Sequence, residues 1–155
     1  MNLIFRLFWV WLISLKRERL PIEGSESRLT LRVLPNDLDL NLHVNNGRFL
    51  TLADLSRVDL FIRTGLIALM RKERWAPIVT EHTMVYKKPL KLFQKFELVM
   101  QLTHWDERQF YMSHQFIVGD RVIAEGKSVG VLRGREGVIA PALIVERLHA
   151  LRGSN

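Results

Sequence analysis

Leu29, Leu31 and Val33 alternate with Arg28, Thr30 and Arg32, the period-two pattern of a half-buried strand, which Pro35 ends. Residues 36 to 47 are rich in Asn and Asp, a composition of loops and helix caps. Between Arg48 and Thr64 the apolar residues recur at helical spacing. Phe49, Leu52, Ala53, Leu55, Leu60 and Phe61 cover much of the circumference and Gly65 is placed as a stop, which predicts an enclosed helix. Leu66 to Lys72 predicts a shorter helical turn.

Strands dominate from residue 76 onward. Ala76 to Lys87 is one; Phe96, Leu98, Met100 and Leu102 mark a second; Phe110 to Val118 and Val122 to Arg133 complete the set. Gly119 and Asp120 fit a tight hairpin turn between the last two, and Asp106 to Arg108 another. Leu143 to Leu151, after Pro141, predicts a surface or interface helix. Long consecutive strands with short turns make an antiparallel sheet. Five strands and one enclosed helix predict an α+β fold in which a curved antiparallel sheet wraps around that helix.

Leu3 to Leu15 is apolar on nearly every helical face, interrupted by Arg6 and Ser14. Such a helix reaches about 20 Å, short of the roughly 30 Å hydrocarbon layer, so it is not expected to span a bilayer. Lys16, Arg17, Glu18 and Arg19 follow where a secretory signal needs a small-residue cleavage site, so cleavage is not expected either. Trp9 and Trp11 with flanking basic residues suit a helix lying on a membrane surface; packing on the fold or on a partner subunit is the alternative. The division this implies is an apolar helix at residues 1–20 and one folded domain at residues 21–155. The expected location is cytoplasmic, peripheral at a membrane.

The 155 residues suffice for one core, and 48% apolar with 25% charged residues is ordinary globular composition. The absence of cysteine excludes disulfide scaffolds, thiolate zinc sites, iron–sulfur clusters and thiol nucleophiles. Net charge is +7, and a disproportionate part lies in the first 20 residues, with Arg6, Lys16, Arg17 and Arg19 against Glu18. The remaining basic residues gather at Arg71, Lys72 and Arg74 and at Lys87, Lys88, Lys91 and Lys95, which suits either a phosphate-bearing ligand or solvated turns. No basic stripe with interleaved aromatics supports nucleic-acid binding.

One polar stretch has the spacing of a site. Asp37, Asp39, Asn41, His43, Asn45 and Asn46 stand between a strand and the start of the enclosed helix, where free amides and the helix dipole favour negative charge. Two carboxylates, carboxamides and an imidazole offer a base or nucleophile, a water-positioning group and a proton carrier. Helix caps, turn residues and a satisfied buried histidine would account for the same residues.

The run Asp37 to Phe49, D-L-D-L-N-L-H-V-N-N-G-R-F, resembles the signature of hotdog-fold acyl-CoA and acyl-ACP thioesterases of the 4-hydroxybenzoyl-CoA thioesterase-like superfamily. It is closer still to the D-x-N-x-H-V-N-N string of the plant acyl-ACP enzymes. The likeness covers roughly residues 27 to 133. It implies the hotdog fold and hydrolysis of an acyl-CoA or acyl-ACP thioester without a cofactor or metal. It also implies a homodimer or homotetramer with sites at subunit interfaces. Carried over by position, Asp39 is the acid that attacks the thioester carbonyl or activates water, Asn41 orients the acid or the water, and His43 assists proton transfer or fixes the geometry. Asn45, Asn46, Gly47 and Arg48 would bind substrate, with amides near Asn46 and Gly47 holding the oxyanion. Asp54, with Arg57 three residues on, is expected to be structural. Leu42 departs from the pattern, standing where many bacterial relatives have Gly. Glu81 lies in the region of the downstream acid of the plant enzymes. A non-catalytic acyl-binding or membrane-associated module on the same fold is the alternative.

Gly126, Lys127, Ser128, Val129 and Gly130 spell G-x-S-x-G, but inside a predicted strand, where a nucleophile elbow cannot form. Nor does this segment complete a phosphate-binding loop, because the earlier Gly would fall at Arg121.

Overall fold

The computed structural model describes residues 2–154. In chain order it comprises α1 (Asn2–Ser14), β1 (Glu26–Arg32), a 3-10 turn at Pro35–Asp37, α2 (Asn46–Thr64), α3 (Leu66–Glu73), β2 (Ala76–Tyr86), β3 (Lys95–Trp105), β4 (Phe110–Val118), β5 (Arg121–Gly134), β6 (Gly137–Ile139) and α4 (Pro141–Gly153). The sheet is antiparallel throughout, in the order β1-β3-β4-β5-β2, with β6 adding a short sixth strand beside β5. The alternation pattern locates the five long strands but not β6, which is too short to carry a period. Register shifts at Val79/Glu81, Leu102/His104 and Phe116/Ile117 interrupt the ladders; such irregularities bend strands and increase twist.

Helix α2 packs on β1 and β3 on one side and on α1 on the other. That explains its wide apolar circumference: Phe49, Leu52, Ala53, Leu55 and Leu60 are all buried. Its start is capped by Asn45, whose side chain accepts from the Gly47 amide at 2.9 Å. Its end is set by Gly65 at φ +85°, the left-handed conformation that costs glycine least. Under the first turn Phe49 meets Phe116 edge-on at 4.9 Å, and Phe116 stacks on Phe96 at 5.9 Å.

Helix α1 is part of the same core. Val10 is fully buried, and Arg6 reaches the Asp37 carboxylate at 3.0 Å. Of the two roles expected of this segment, packing on the fold is therefore realised. Its outer face still exposes Ile4, Phe5, Phe8 and Trp9, and Leu15 just beyond the helix is exposed as well. Among the described residues no helix is long and apolar enough to cross a membrane.

Candidate active site

The Asn- and Asp-rich loop is a tight, self-bonded turn. The Asp39 amide donates to the His43 carbonyl at 2.9 Å and the Leu42 amide to the Asp39 carbonyl at 3.0 Å. Asp39 Oδ1 accepts from the Asn41 amide at 2.8 Å, the Asx geometry that short acidic side chains favour in turns. To close this turn Leu42 takes φ +59°, a conformation costly for a residue with a Cβ. This explains why glycine suits the position in the motif. The loop is held to the segment after β2 by the Val44 amide on the Leu90 carbonyl, 3.0 Å, and by a backbone bridge between His43 and Lys91.

Asp39, Asn41, His43, Val44, Asn45, Asn46 and Phe49 line one cleft with Tyr86, Lys87, Lys88 and Pro89. Asp39 and His43 are half-buried there, and Asn41 is exposed. The structure thus brings together Asp39, Asn41, His43, Asn45 and Asn46. Gly47 and Arg48 are placed differently, lining a shallow pocket with Asp37, Asn45 and Thr51. The Gly47 amide is taken up by the Asn45 cap, and the Arg48 guanidinium is engaged by Asp37 at 2.9 Å. Helix geometry supplies no intrahelical partner for the amide of Asn46, the first helical residue.

The two acids of the motif have different tasks. Asp37 is buried, ion-paired to Arg6 and Arg48, and accepts from the Leu34 amide at 2.8 Å, so it anchors the loop. Asp39 faces the cleft.

Tyr86 is the cleft residue that sequence reasoning missed. It ends β2, meets Phe49 edge-on at 5.2 Å and donates its hydroxyl to the Asn46 carbonyl at 2.9 Å. Burial raises the pKa of this phenol, keeping it a donor. No local pattern around residue 86 announces this, because the contact depends on where β2 ends relative to α2. Lys87 and Lys88, flagged as basic residues suited to phosphate, do reach the rim. Lys87 pairs with Glu125 at 2.5 Å. Glu81 is exposed on β2 and does not line the cleft.

Toward the other end of α2 lies an apolar cavity walled by Ile22, Leu60, Phe61, Ile78, Val131 and Ile144, with Arg57 as its charged group. Arg57 pairs with Asp54 one turn back on α2. Beside it His114, fully buried, meets His82 edge-on at 4.9 Å. Burial, then the neighbouring His82 and Arg57, push the His114 pKa down to about 4, so it is neutral at pH 7. A Cβ on Gly126 would lie 2.0 Å from the Thr83 carbonyl and 2.6 Å from His114 Nε2, which accounts for glycine at that point of β5. The G-x-S-x-G run is thus interior strand, as expected. Among the described residues no cluster of His, Cys, Asp and Glu could hold a metal ion.

A curled antiparallel sheet around a central helix, with the Asp–Asn–His loop at that helix's start, is the hotdog fold. The sequence model of the thioesterase-like superfamily matches residues 33–144, and the chain belongs to that superfamily. Among curated proteins it is similar to Protein THEM6 of Xenopus laevis, 31% identical over 159 residues, covering 94% of this chain and 73% of that protein. Protein THEM6 of Danio rerio is 33% identical over 119 residues, covering 76% of this chain and 57% of that protein. Among solved structures, the probable thioesterase YbaW of Escherichia coli superposes with a TM-score of 0.73 at 19% identity, covering 79% of this chain and 95% of that one.

Proposed function

We propose that the protein hydrolyses an acyl thioester carried on coenzyme A or acyl carrier protein. The observation that carries this reading is the cleft at the start of α2, which Asp39 and Asn46, the first residue of that helix, both line. Superfamily membership supports the reaction class. A Staphylococcus aureus protein with a TM-score of 0.69 to this chain was solved in complex with CoA, which supports the carrier. Asp39 activates water or attacks the carbonyl, Asn41 and His43 orient the reacting groups, and the Asn46 amide faces the developing oxyanion. The test is thiol release from a panel of acyl-CoAs and acyl-ACPs by wild type and Asp39→Asn. Activity confined to wild type is expected; equal activity in both removes Asp39 from the mechanism. The second reading is acyl binding without turnover, favoured by Leu42 at the glycine position of the motif; release from no thioester, with acyl-CoA retained by the protein in equilibrium dialysis, would favour it.

Two features of assembly belong to the same proposal. Strand β2 is an edge with Ile78, Val79, Val85 and Tyr86 exposed, a surface on which a second copy pairs as a homodimer or within a homotetramer. Sedimentation equilibrium of wild type against Val79→Lys tests this, with a monomeric variant as the expected result. The outer face of α1 lies on a membrane surface at the cytoplasmic side, an arrangement its Trp and Phe residues suit. Because α1 also covers the core, the variant to compare in membrane sedimentation is Phe5→Ser with Trp9→Ser rather than a truncation.

A further inference from the structure

We propose that the apolar tips of the two loops framing the cleft, Leu40 and Leu42 on one and Leu92 and Phe93 on the other, insert into an anionic lipid surface, so that the Asp39 cleft opens onto lipid. Leu40 is fully exposed, and Leu42, Leu92 and Phe93 are 72%, 41% and 55% exposed. Two of the four also hold left-handed backbone, Leu42 at φ +59° and Phe93 at φ +61°. A large apolar side chain gains nothing from water, and the left-handed conformation penalises its Cβ, so these positions are disfavoured twice in the free protein. Strain of this kind is held in place by the surrounding structure and clusters at active and binding sites.

The two loops act as one surface. The His43–Lys91 bridge and the Val44–Leu90 hydrogen bond hold them side by side, and the Phe93 amide is fixed on the Val33 carbonyl at 3.1 Å. Leu90 is buried, so the tips project from a rigid base. The charge around them selects the partner. The segment from residue 87 to 95 carries Lys87, Lys88, Lys91 and Lys95 and no acid, and the ammonium of Lys87 is engaged by Glu125. Lys88 and Lys91 are exposed, Lys88 on the lining of the cleft and Lys91 next in sequence to Leu92. Exposed Leu and Phe on a frame whose second segment carries four lysines fit the headgroup boundary of an anionic membrane, where each basic residue near the surface adds to the attraction. The side chains of Asp39 and His43 lie on the same two-loop frame.

This inference goes beyond hydrolysis, and its readout is binding, so it stands or falls apart from the thioesterase reading. The full chain is mixed with vesicles of phosphatidylcholine alone and of phosphatidylcholine with phosphatidylserine, and the bound fraction is measured by sedimentation. The variant Leu42→Gly with Phe93→Gly removes one apolar side chain from each loop, leaving Leu40 and Leu92, and relieves both strained residues, so it keeps the fold. We expect its partitioning to mixed vesicles to fall about tenfold or more. Lys88→Ala with Lys91→Ala should lose the preference for phosphatidylserine while still binding. In the background of Phe5→Ser with Trp9→Ser the glycine pair should still weaken binding, which separates the loops from α1. Equal partitioning of wild type and the glycine variant overturns the proposal, as does wild type that binds neither vesicle. A wild-type mass that rises with concentration without lipid, and no longer does so in the glycine variant, overturns it in favour of a second copy of this chain.

Discussion

The Asp59 carboxylate, fully buried in α2, accepts a 2.6 Å hydrogen bond from the Ser14 hydroxyl at the end of α1. It also accepts from Ser27 of β1 at 2.6 Å, from Arg17 at 3.1 Å and from Arg63 at 3.2 Å. One acid thus joins the amino-terminal helix, the edge strand and the central helix. A buried carboxylate is tolerated because its oxygens are filled by donors and cations.

Asp59→Ala leaves Arg63 buried without its carboxylate and the Ser27 hydroxyl without its acceptor, while Ser14 keeps the Val10 carbonyl at 2.6 Å. Breaking a buried pair from one side costs about 3–5 kcal/mol, so the urea midpoint should fall steeply and α1 should become sensitive to protease. Asp59→Asn, which keeps the shape and loses the charge, should fall between wild type and the alanine variant. A loss below about 1 kcal/mol for Asp59→Ala would show that α1 docks through Val10 and its apolar neighbours alone.

Leu42 tests the strain argument. Left-handed backbone at a residue with a Cβ costs about 1–2 kcal/mol, and glycine gives back about 0.5–1 kcal/mol through the freedom of the unfolded chain. Leu42→Gly should therefore raise stability by roughly 0.5–1 kcal/mol, read as a higher denaturation midpoint. An unchanged or lower midpoint would mean that the turn accommodates leucine without strain.

Tyr86→Phe removes the hydrogen bond that holds the Asn46 carbonyl and leaves the ring against Phe49. If Tyr86 positions the start of α2 for the oxyanion, kcat should fall about two- to tenfold with KM and the melting temperature little changed. A matching fall in melting temperature with kcat intact would make the bond structural only.

Much of this architecture is written locally. The alternation at Leu29, Leu31 and Val33 and along the later strands needs no knowledge of neighbours, and the apolar circumference from Phe49 to Phe61 with Gly65 behind it marks α2. The pairing of Asp39, Asn41 and His43 on one cleft was likewise legible, because a ten-residue loop keeps them together. What was not legible depends on register and on distant partners. Tyr86 reaches Asn46 only because β2 ends beside the start of α2. Arg48 turns to Asp37 instead of toward the Asp39 cleft because Arg6, from a helix far upstream, completes that acid's shell. His82 and His114 meet across β2, β5 and β4, and their sequence separation of more than thirty residues carries no period that would signal the contact.

The buried His114 makes the fold sensitive to acid in a defined window. Its pKa lies at about 4 in the folded protein against 6.5 in the unfolded chain, chiefly because burial penalises the charged ring, and that of His82 is lowered in the same direction. Above pH 6.5 both states hold a neutral imidazole and the folded state keeps its full stability. As pH falls from 6.5 toward 4 the unfolded chain binds a proton that the folded protein refuses, so stability is lost across that window, by as much as about 3 kcal/mol from His114. Replacing the ring by a side chain that does not titrate, His114→Met, should flatten this part of the profile even where it lowers stability at neutral pH. Urea midpoints at pH 7 and near pH 4 for both proteins give the difference directly. A wild type and a variant that lose the same stability between those two values would show that His114 gains its proton within the folded protein.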